Sequence, residues 1–194
     1  MNFKHSWLTT TAVVFAVALS TGATIAQEQA DWESMEQEAK RMKIKETAQA
    51  SANDVMDNNP KAKELWDEAY GWAAFDNLKL AFGFSGGGGN GVAVNKKTGE
   101  HTFMKMGTVG VGLGLGAKKY QVIFLFQDEQ TFNNFVEKGW QADASAGAVA
   151  GGSGAGVATG FVNGIAVYQI TDKGLMAAAD IAGTKYWKND KLNQ

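Results

Sequence analysis

Gly107-Thr108-Val109-Gly110-Val111-Gly112-Leu113-Gly114-Leu115-Gly116 is the stretch on which the fold turns. Glycine takes every second place from 110 to 116, and apolar residues take the places between. Side chains with a period of two share one face of a sheet, so a strand over Val109–Leu115 shows one nearly bare face. Ala142, Ala144, Ala146 and Ala148 repeat the pattern against Asp143, Ser145, Gly147 and Val149. Glycine weakens a strand interior and marks a sharp bend or a close backbone approach. A tightly curved sheet uses both. A groove that admits a ligand chain is the other use of a bare face. Packing and curvature is the preferred reading.

Short alternating runs on either side extend the sheet. Strands are expected near Trp72–Phe75, Leu80–Ser85, Gly91–Val94, His101–Met106 and Gln121–Gln127, then over Trp140–Ala150, Gly156–Phe161, Ile165–Thr171 and Leu175–Trp187. Val122-Ile123-Phe124-Leu125-Phe126 is apolar on both faces, which predicts a central strand covered on both sides. Asn95-Lys96-Lys97-Thr98-Gly99 reads as a hairpin loop, and Asp172-Lys173-Gly174 as a tight turn.

The helical part lies mainly upstream. From Gln27 to Asn59, Trp32, Met35, Ala39 and Met42 recur at helical steps. Asn59 can cap a second helix with Pro60 at its first position, and Ala62, Leu65, Trp66, Ala69 and Tyr70 give that helix an apolar stripe. One more helix interrupts the strands. Asp128 can cap it, Phe132, Phe135 and Val136 share a face, and Gly139 stops it. The expected architecture is α+β, with N-terminal helices packed on a strongly curved, mainly antiparallel barrel-like sheet and one inserted helix.

The first residues are of another kind. Lys4 and His5 precede an apolar run, Ala12 to Leu19, and small residues lead to Thr24-Ile25-Ala26. That order predicts a cleavable export signal over residues 1–26, with Ala23 as a second possible cut. The run is shorter than the roughly 20 apolar residues of a membrane-spanning helix. The chain has no cysteine, so neither a disulfide nor a lipid-anchor cysteine is expected. The protein is expected free in a bacterial periplasm and not as a lipoprotein. Residues 27–59 form a charged helical segment and 60–190 the single domain. The formal net charge of -2 is too small to draw the whole molecule to nucleic acid.

Three motifs suggest chemistry, and none holds. Gly86 to Gly91 fits G-x-G-x-x-G, but a strand-like Val92-Ala93-Val94 follows where a dinucleotide site needs a helix. Gly83-Phe84-Ser85-Gly86-Gly87 fits G-x-S-x-G. A nucleophilic serine needs a base, and past the signal the only histidine is His101. Gly147 to Ser153 spaces like a phosphate loop without its lysine. No carboxylates cluster at metal-ligand spacing. No enzyme, cofactor or metal is expected. Basic residues beside apolar ones, as at Lys40-Arg41-Met42-Lys43-Ile44-Lys45, Lys96-Lys97, Lys118-Lys119 and Lys185 to Lys191, suit an anionic membrane surface or an ordinary solvated face.

Four stretches together resemble the SYLF lipid-binding domain family. They are Ala69 to Phe75 with Lys79 and Phe82 to Gly87; Gly107 to Gly116; Val122 to Phe126 with Asp128, Glu129, Phe132, Phe135, Gly139 and Trp140; and Lys173 to Met176 with Gly183 to Lys185. The resemblance implies binding and not catalysis. Eukaryotic members bind phosphoinositides and, in fungi, actin, an implausible partner for an exported bacterial protein. Bacterial members are commonly envelope proteins. This chain departs in having Asp76 where many relatives have proline, and in lacking the anchor cysteine. The expectation is a non-catalytic lipid-binding protein of the cell envelope whose partner is a phospholipid, another amphiphile or a membrane surface. Lys79, matched to a recurring lysine of the family, is the first candidate for a headgroup contact, with Lys118 and Lys119 behind it. The alternative is a structural or stress-related periplasmic module that binds a protein through its helical N-terminus.

Overall fold

The computed structural model describes residues 10–82, 84–110, 115–142, 160–171, 174–177 and 183–194. Most of the expected strands over Gly156–Phe161 and Trp140–Ala150 falls outside them. The chain forms two compact units, Met1–Lys40 and Arg41–Gln194. In the first, a helix exposes Trp32 and Met35.

The helix α1 runs Thr10–Asn58, and α2 runs Pro60–Glu68. Asn59 separates them as predicted, its side chain accepting a hydrogen bond from the Ala62 N–H at 3.0 Å. That satisfies one of the donors a helix start leaves open. The strands are β1 (Gly71–Phe82), β2 (Phe84–Asn95), β3 (His101–Gly110), β4 (Leu115–Phe126), β5 (Trp140–Gln141), β6 (Ile165–Thr171), β7 (Gly174–Ala177) and β8 (Thr184–Lys188). The helix α3 (Glu129–Lys138) lies between β4 and β5. Asp128 caps α3 through the Thr131 N–H at 2.8 Å, and Gly139 leaves it at φ 72.

All strand pairs are antiparallel, in the order β5-β8-β3-β2-β1-β4-β6-β7. The inner four, β3-β2-β1-β4, have the Greek-key order. The β2–β3 hairpin closes as predicted: Asn95 Oδ1 accepts from the Lys97 and Thr98 N–H groups, and Gly99 sits at φ 73.

Three strand expectations need correction. Leu80–Ser85 is not one strand, because β1 ends at Phe82 and β2 starts at Phe84, with Phe82 paired to Phe84 at a hairpin tip. Val109–Leu115 is not one strand either. Val109 is the penultimate residue of β3, beside β2, whereas Leu115 opens β4 beside β1, so the two residues flank that hairpin from opposite sides. Alternation records which side chains share a face, and it does not record where the chain changes partner. Leu175–Trp187 contains the separate strands β7 and β8. Conversely, the glycine run Gly86–Gly91 lies wholly within β2.

The register assigns every side chain to one of two faces. Ala73, Phe75, Met104, Met106, Val122, Phe124, Phe126, Val167 and Tyr186 bury on one, with Phe132, Phe135 and Val136 of α3. Trp72, Ala74, Val92, Phe103, Ile123, Leu125, Ala166 and Tyr168 bury on the other, against Ala48, Ala52 and Val55 of α1 and Ala62 and Leu65 of α2. Both faces of β4 are covered from Val122 to Phe126, as the sequence of that stretch predicts. The α3 face is the concave one. The ring of Tyr186 on β8 lies 4.7 Å from that of Phe75 on β1, although β3 and β2 stand between those strands. A flat sheet would hold strands three steps apart at about 14 Å. The fold is therefore α+β, with α1 and α2 on the outer face of a strongly curled, barrel-like antiparallel sheet and α3 on its inner face.

The apolar stripe read in α1 is not the one that packs. Met42 stays 60% exposed, while Ile44, Ala48, Ala52 and Val55 meet the sheet. Small residues at 48 and 52 bring the helix close to the strands. The chain end adds a clamp. Arg41 donates from Nε to the Leu192 carbonyl and from Nη2 to that of Gln194, both at 2.9 Å. Asn193 exchanges hydrogen bonds with the backbone of Phe103, accepting at 2.9 Å and donating at 2.7 Å.

Candidate functional site

The helices cover only one end of the sheet. Along β1 burial is complete from Gly71 to Phe75 and then gives way to alternation. Residues directly opposite in register share a face, so the surface beyond the helices follows from the pairing. On the outer face, β1 presents Leu78, Leu80 and Phe82. Opposite them β4 presents Lys119, Ala117 and Leu115, and β2 presents Gly88 and Gly86. Past β2 come Gly107 and Val109 of β3, then Lys185 of β8 opposite Gly107. Phe82, Val109 and Leu115 are exposed by 66%, 78% and 81%, and Leu78 and Leu80 are also exposed. These five large apolar side chains lie on one face of one end of the sheet.

The next row toward the helices is polar. It carries Trp187, Lys105, Asn90, Asp76 and Gln121 across β8, β3, β2, β1 and β4. Gln121 Nε2 donates to Asp76 Oδ1 at 3.4 Å. Lys105, Lys119 and Lys185 thus stand beside or behind the apolar end, against one carboxylate. Asp76 occupies this row where relatives of the resembling family often have proline; in this chain the position is an ordinary paired residue inside β1.

The inner face at the same level has different chemistry. Asn77, Gln169, Thr184 and Tyr186 are buried there, and Asn77 Nδ2 and Oδ1, Gln169 Oε1, Thr184 Oγ1 and Tyr186 Oη have no hydrogen-bond partner among the described residues. Burial, with Tyr120 nearby, pushes the Tyr186 phenol well above its usual ionisation range. Burial also lifts Tyr168, on the outer face, to about 12.

The three candidate lysines divide between the faces. Lys79 and Lys118 are directly opposite each other on the inner face, the first half-buried and the second exposed. Lys119 is on the outer face, opposite Leu78. The sequence therefore placed one of the three beside the apolar end. It overlooked Lys105 and the five apolar residues. The signal was present: Leu78-Lys79-Leu80-Ala81-Phe82 alternates strictly, and it reads correctly once β1 is taken as one strand from Gly71.

Two of the rejected motifs lack their geometry, and the third, Gly147 to Ser153, lies outside the described residues. Ser85 is buried opposite Gly110, and His101 begins the same strand nine residues away, about 30 Å at strand spacing. The glycines from 86 to 91 lie within a strand, with no helix after them. Among the described residues no group of three or more His, Cys, Asp or Glu is placed to hold a metal ion. No helix among them is long and apolar enough to cross a membrane.

Comparison with known proteins agrees with the family resemblance. The family model described as Las17-binding protein actin regulator, Ysc84, matches residues 107–194. Beta cell expansion factor A of Aeromonas veronii is 42% identical over 154 residues, which are 79% of this chain and 59% of that protein. The chain thus corresponds to about three fifths of that relative's length. Neither name is that of an enzyme. Residues 107–194 thus carry a SYLF (Ysc84) family domain.

Proposed function

We propose that this protein binds lipid without catalysis, and that it meets an anionic membrane surface through the uncovered end of the outer face. One observation carries the reading. Leu78, Leu80, Phe82, Val109 and Leu115 project together into solvent, with Lys105, Lys119 and Lys185 on the same face. A contiguous exposed apolar patch with polar surroundings is the mark of an interaction site. Lysine stems can lie along apolar groups while the ammonium reaches phosphate. Each such cation adds about 1 kcal/mol at an anionic surface. Family membership supports lipid binding in general.

Sedimentation with vesicles tests the proposal. Wild-type protein should pellet with phosphatidylglycerol vesicles and much less with phosphatidylcholine vesicles. Leu80→Glu combined with Val109→Glu should abolish pelleting while preserving the melting temperature, since both side chains are exposed. Equal, negligible binding to both vesicle types refutes the reading. Its cellular setting is proposed to be the periplasm, reached by the leader of residues 1–26. N-terminal sequencing of protein recovered from that compartment should start near Gln27.

A second reading, capture of a protein partner by the N-terminal helix, draws on Trp32 and Met35, exposed by 63% and 62%. Trp32→Ser with Met35→Ser should leave vesicle binding intact and remove any such capture.

A further inference from the structure

We propose that the outer face takes up a single acyl chain of an anionic phospholipid, laid along β2 over Gly86 and Gly88. This rests on the lipid-contact reading above and specifies how that contact is made.

The glycines of β2 fall into two classes. On the inner face the fold demands them. A Cβ at Gly87 would lie 2.6 Å from the Leu78 carbonyl oxygen; one at Gly89 would overlap the Asn77 side chain; one at Gly91 would overlap the Ala74 carbonyl oxygen. On the outer face the demand disappears. A Cβ at Gly86 would find its nearest neighbour, the Thr108 carbonyl oxygen, at 3.9 Å, and one at Gly88 would find that of Met106 at 3.6 Å. Both are ordinary contacts, so among the described residues packing does not explain glycine at 86 and 88, and glycine weakens a strand.

What the two bare positions create is a trough. Leu80 and Val109 stand opposite Gly86 on its two sides. Leu78 stands opposite Gly88 on one side, and on the other is Gly107, over which the Trp187 indole lies, its Cη2 3.1 Å from the place a Cβ would take. The walls rise from strands two steps apart, about 9.6 Å at the backbone. The van der Waals thickness of the wall side chains leaves about 5 Å, the width of one polymethylene chain. From Gly86 to Asn90 the trough runs about 14 Å. Its inner end meets Lys105, opposite Asn90, with Lys119 and Lys185 alongside, so the charged head of an anionic lipid has cations to meet where the chain ends. Its walls Leu78, Leu80 and Val109 are exposed to solvent, and among the described residues its three cations stand against one carboxylate, which selects an anionic occupant.

The test fills the trough without removing apolar surface. The Gly86→Val, Gly88→Val double variant should melt no lower than wild type, because both added side chains have room. Two probes are titrated: dodecyl phosphate below its micellar concentration, by calorimetry, and phosphatidylglycerol vesicles, by sedimentation. Wild type should bind one dodecyl phosphate per chain, and the double variant should bind both probes at least tenfold more weakly. Vesicle binding that is unchanged or tighter in the double variant overturns the trough. So does a wild type that pellets with vesicles yet ignores dodecyl phosphate; the face then works as a flat contact surface. If Leu80→Glu with Val109→Glu leaves vesicle binding untouched, lipid meets the protein elsewhere and the underlying reading fails too. Should the double variant melt lower, Gly88→Ala alone adds one methyl group at 3.6 Å and gives the same comparison in weaker form.

Discussion

The rings of Phe124 and Tyr186 lie 5.0 Å apart, edge to face, although their strands, β4 and β8, are separated by β1, β2 and β3. In a flat sheet those strands would stand about 19 Å apart. The curl of the sheet is thus tied to an aromatic cluster in which Phe75, Phe126, Phe135 and Trp140 also meet. Phe124→Ala should cost about 3–5 kcal/mol of stability, read from urea unfolding, with a matching loss of near-ultraviolet dichroism. A change under 1 kcal/mol would show that the cluster does not hold the curl.

Tyr186→Phe should behave differently. The Tyr186 hydroxyl is buried without a hydrogen-bond partner among the described residues, and burying a polar group unpaired is costly, commonly about 1–3 kcal/mol. Removing the oxygen keeps the ring contacts. The variant should be as stable as wild type or more so, and a clear loss of stability would mean that the hydroxyl has a partner in solution.

Stability should fall in alkali. Folding raises the ionisation ranges of Tyr168 and Tyr186 through burial. Above the ordinary phenol value of about 10, the unfolded chain therefore releases protons that the folded chain retains. Stability contributed by these groups is complete below that pH and declines as pH rises from there toward 12. Titration at 295 nm should show Tyr168 and Tyr186 ionising only as the fold is lost. Smooth titration of all 4 tyrosines near pH 10 with the fold intact would contradict the burial.

The glycines of β2 provide a contrast along one strand. Gly91→Ala should destabilise strongly, since the methyl would overlap the Ala74 carbonyl oxygen. Gly86→Ala, with 3.9 Å to its nearest neighbour, should be neutral or stabilising by about 0.5–1 kcal/mol, the usual conformational cost of glycine. Equal melting temperatures for the two variants would refute the division.

This contrast also shows what could be read before the structure. The expectation of a curved antiparallel sheet held, although the stretch it was read from, Val109 to Leu115, is divided between β3 and β4. Asn59, Asp128, Gly139 and the loop after Asn95 were legible because each cap or turn is decided within a few residues. The pairing of Phe82 with Phe84 and the separation of Val109 from Leu115 were not. Both depend on which strand lies alongside, and that information is spread over the whole sheet. The candidate site suffered most. Lys79 and Lys118 on one face and Lys119 on the other can be told apart only once β1 is known to run unbroken through Asp76 and Asn77.

The lysines should sort by face. Lys105→Gln, Lys119→Gln and Lys185→Gln together should weaken phosphatidylglycerol binding by up to about a hundredfold, at roughly 1 kcal/mol per cation, and flatten its salt dependence. Lys79→Gln with Lys118→Gln, on the inner face, should change it much less. The opposite ranking would move the contact to the concave side.

The strand order also constrains how the molecule assembles. The β1–β2 and β2–β3 hairpins link residues close in sequence, whereas β8 must find β3 across some eighty residues. Closing a long loop costs entropy before any contact repays it. The middle of the sheet is therefore suited to form early, and the edge that brings Tyr186 against Phe124 to arrive late. Substitutions at Tyr186 should accordingly alter the unfolding rate more than the folding rate.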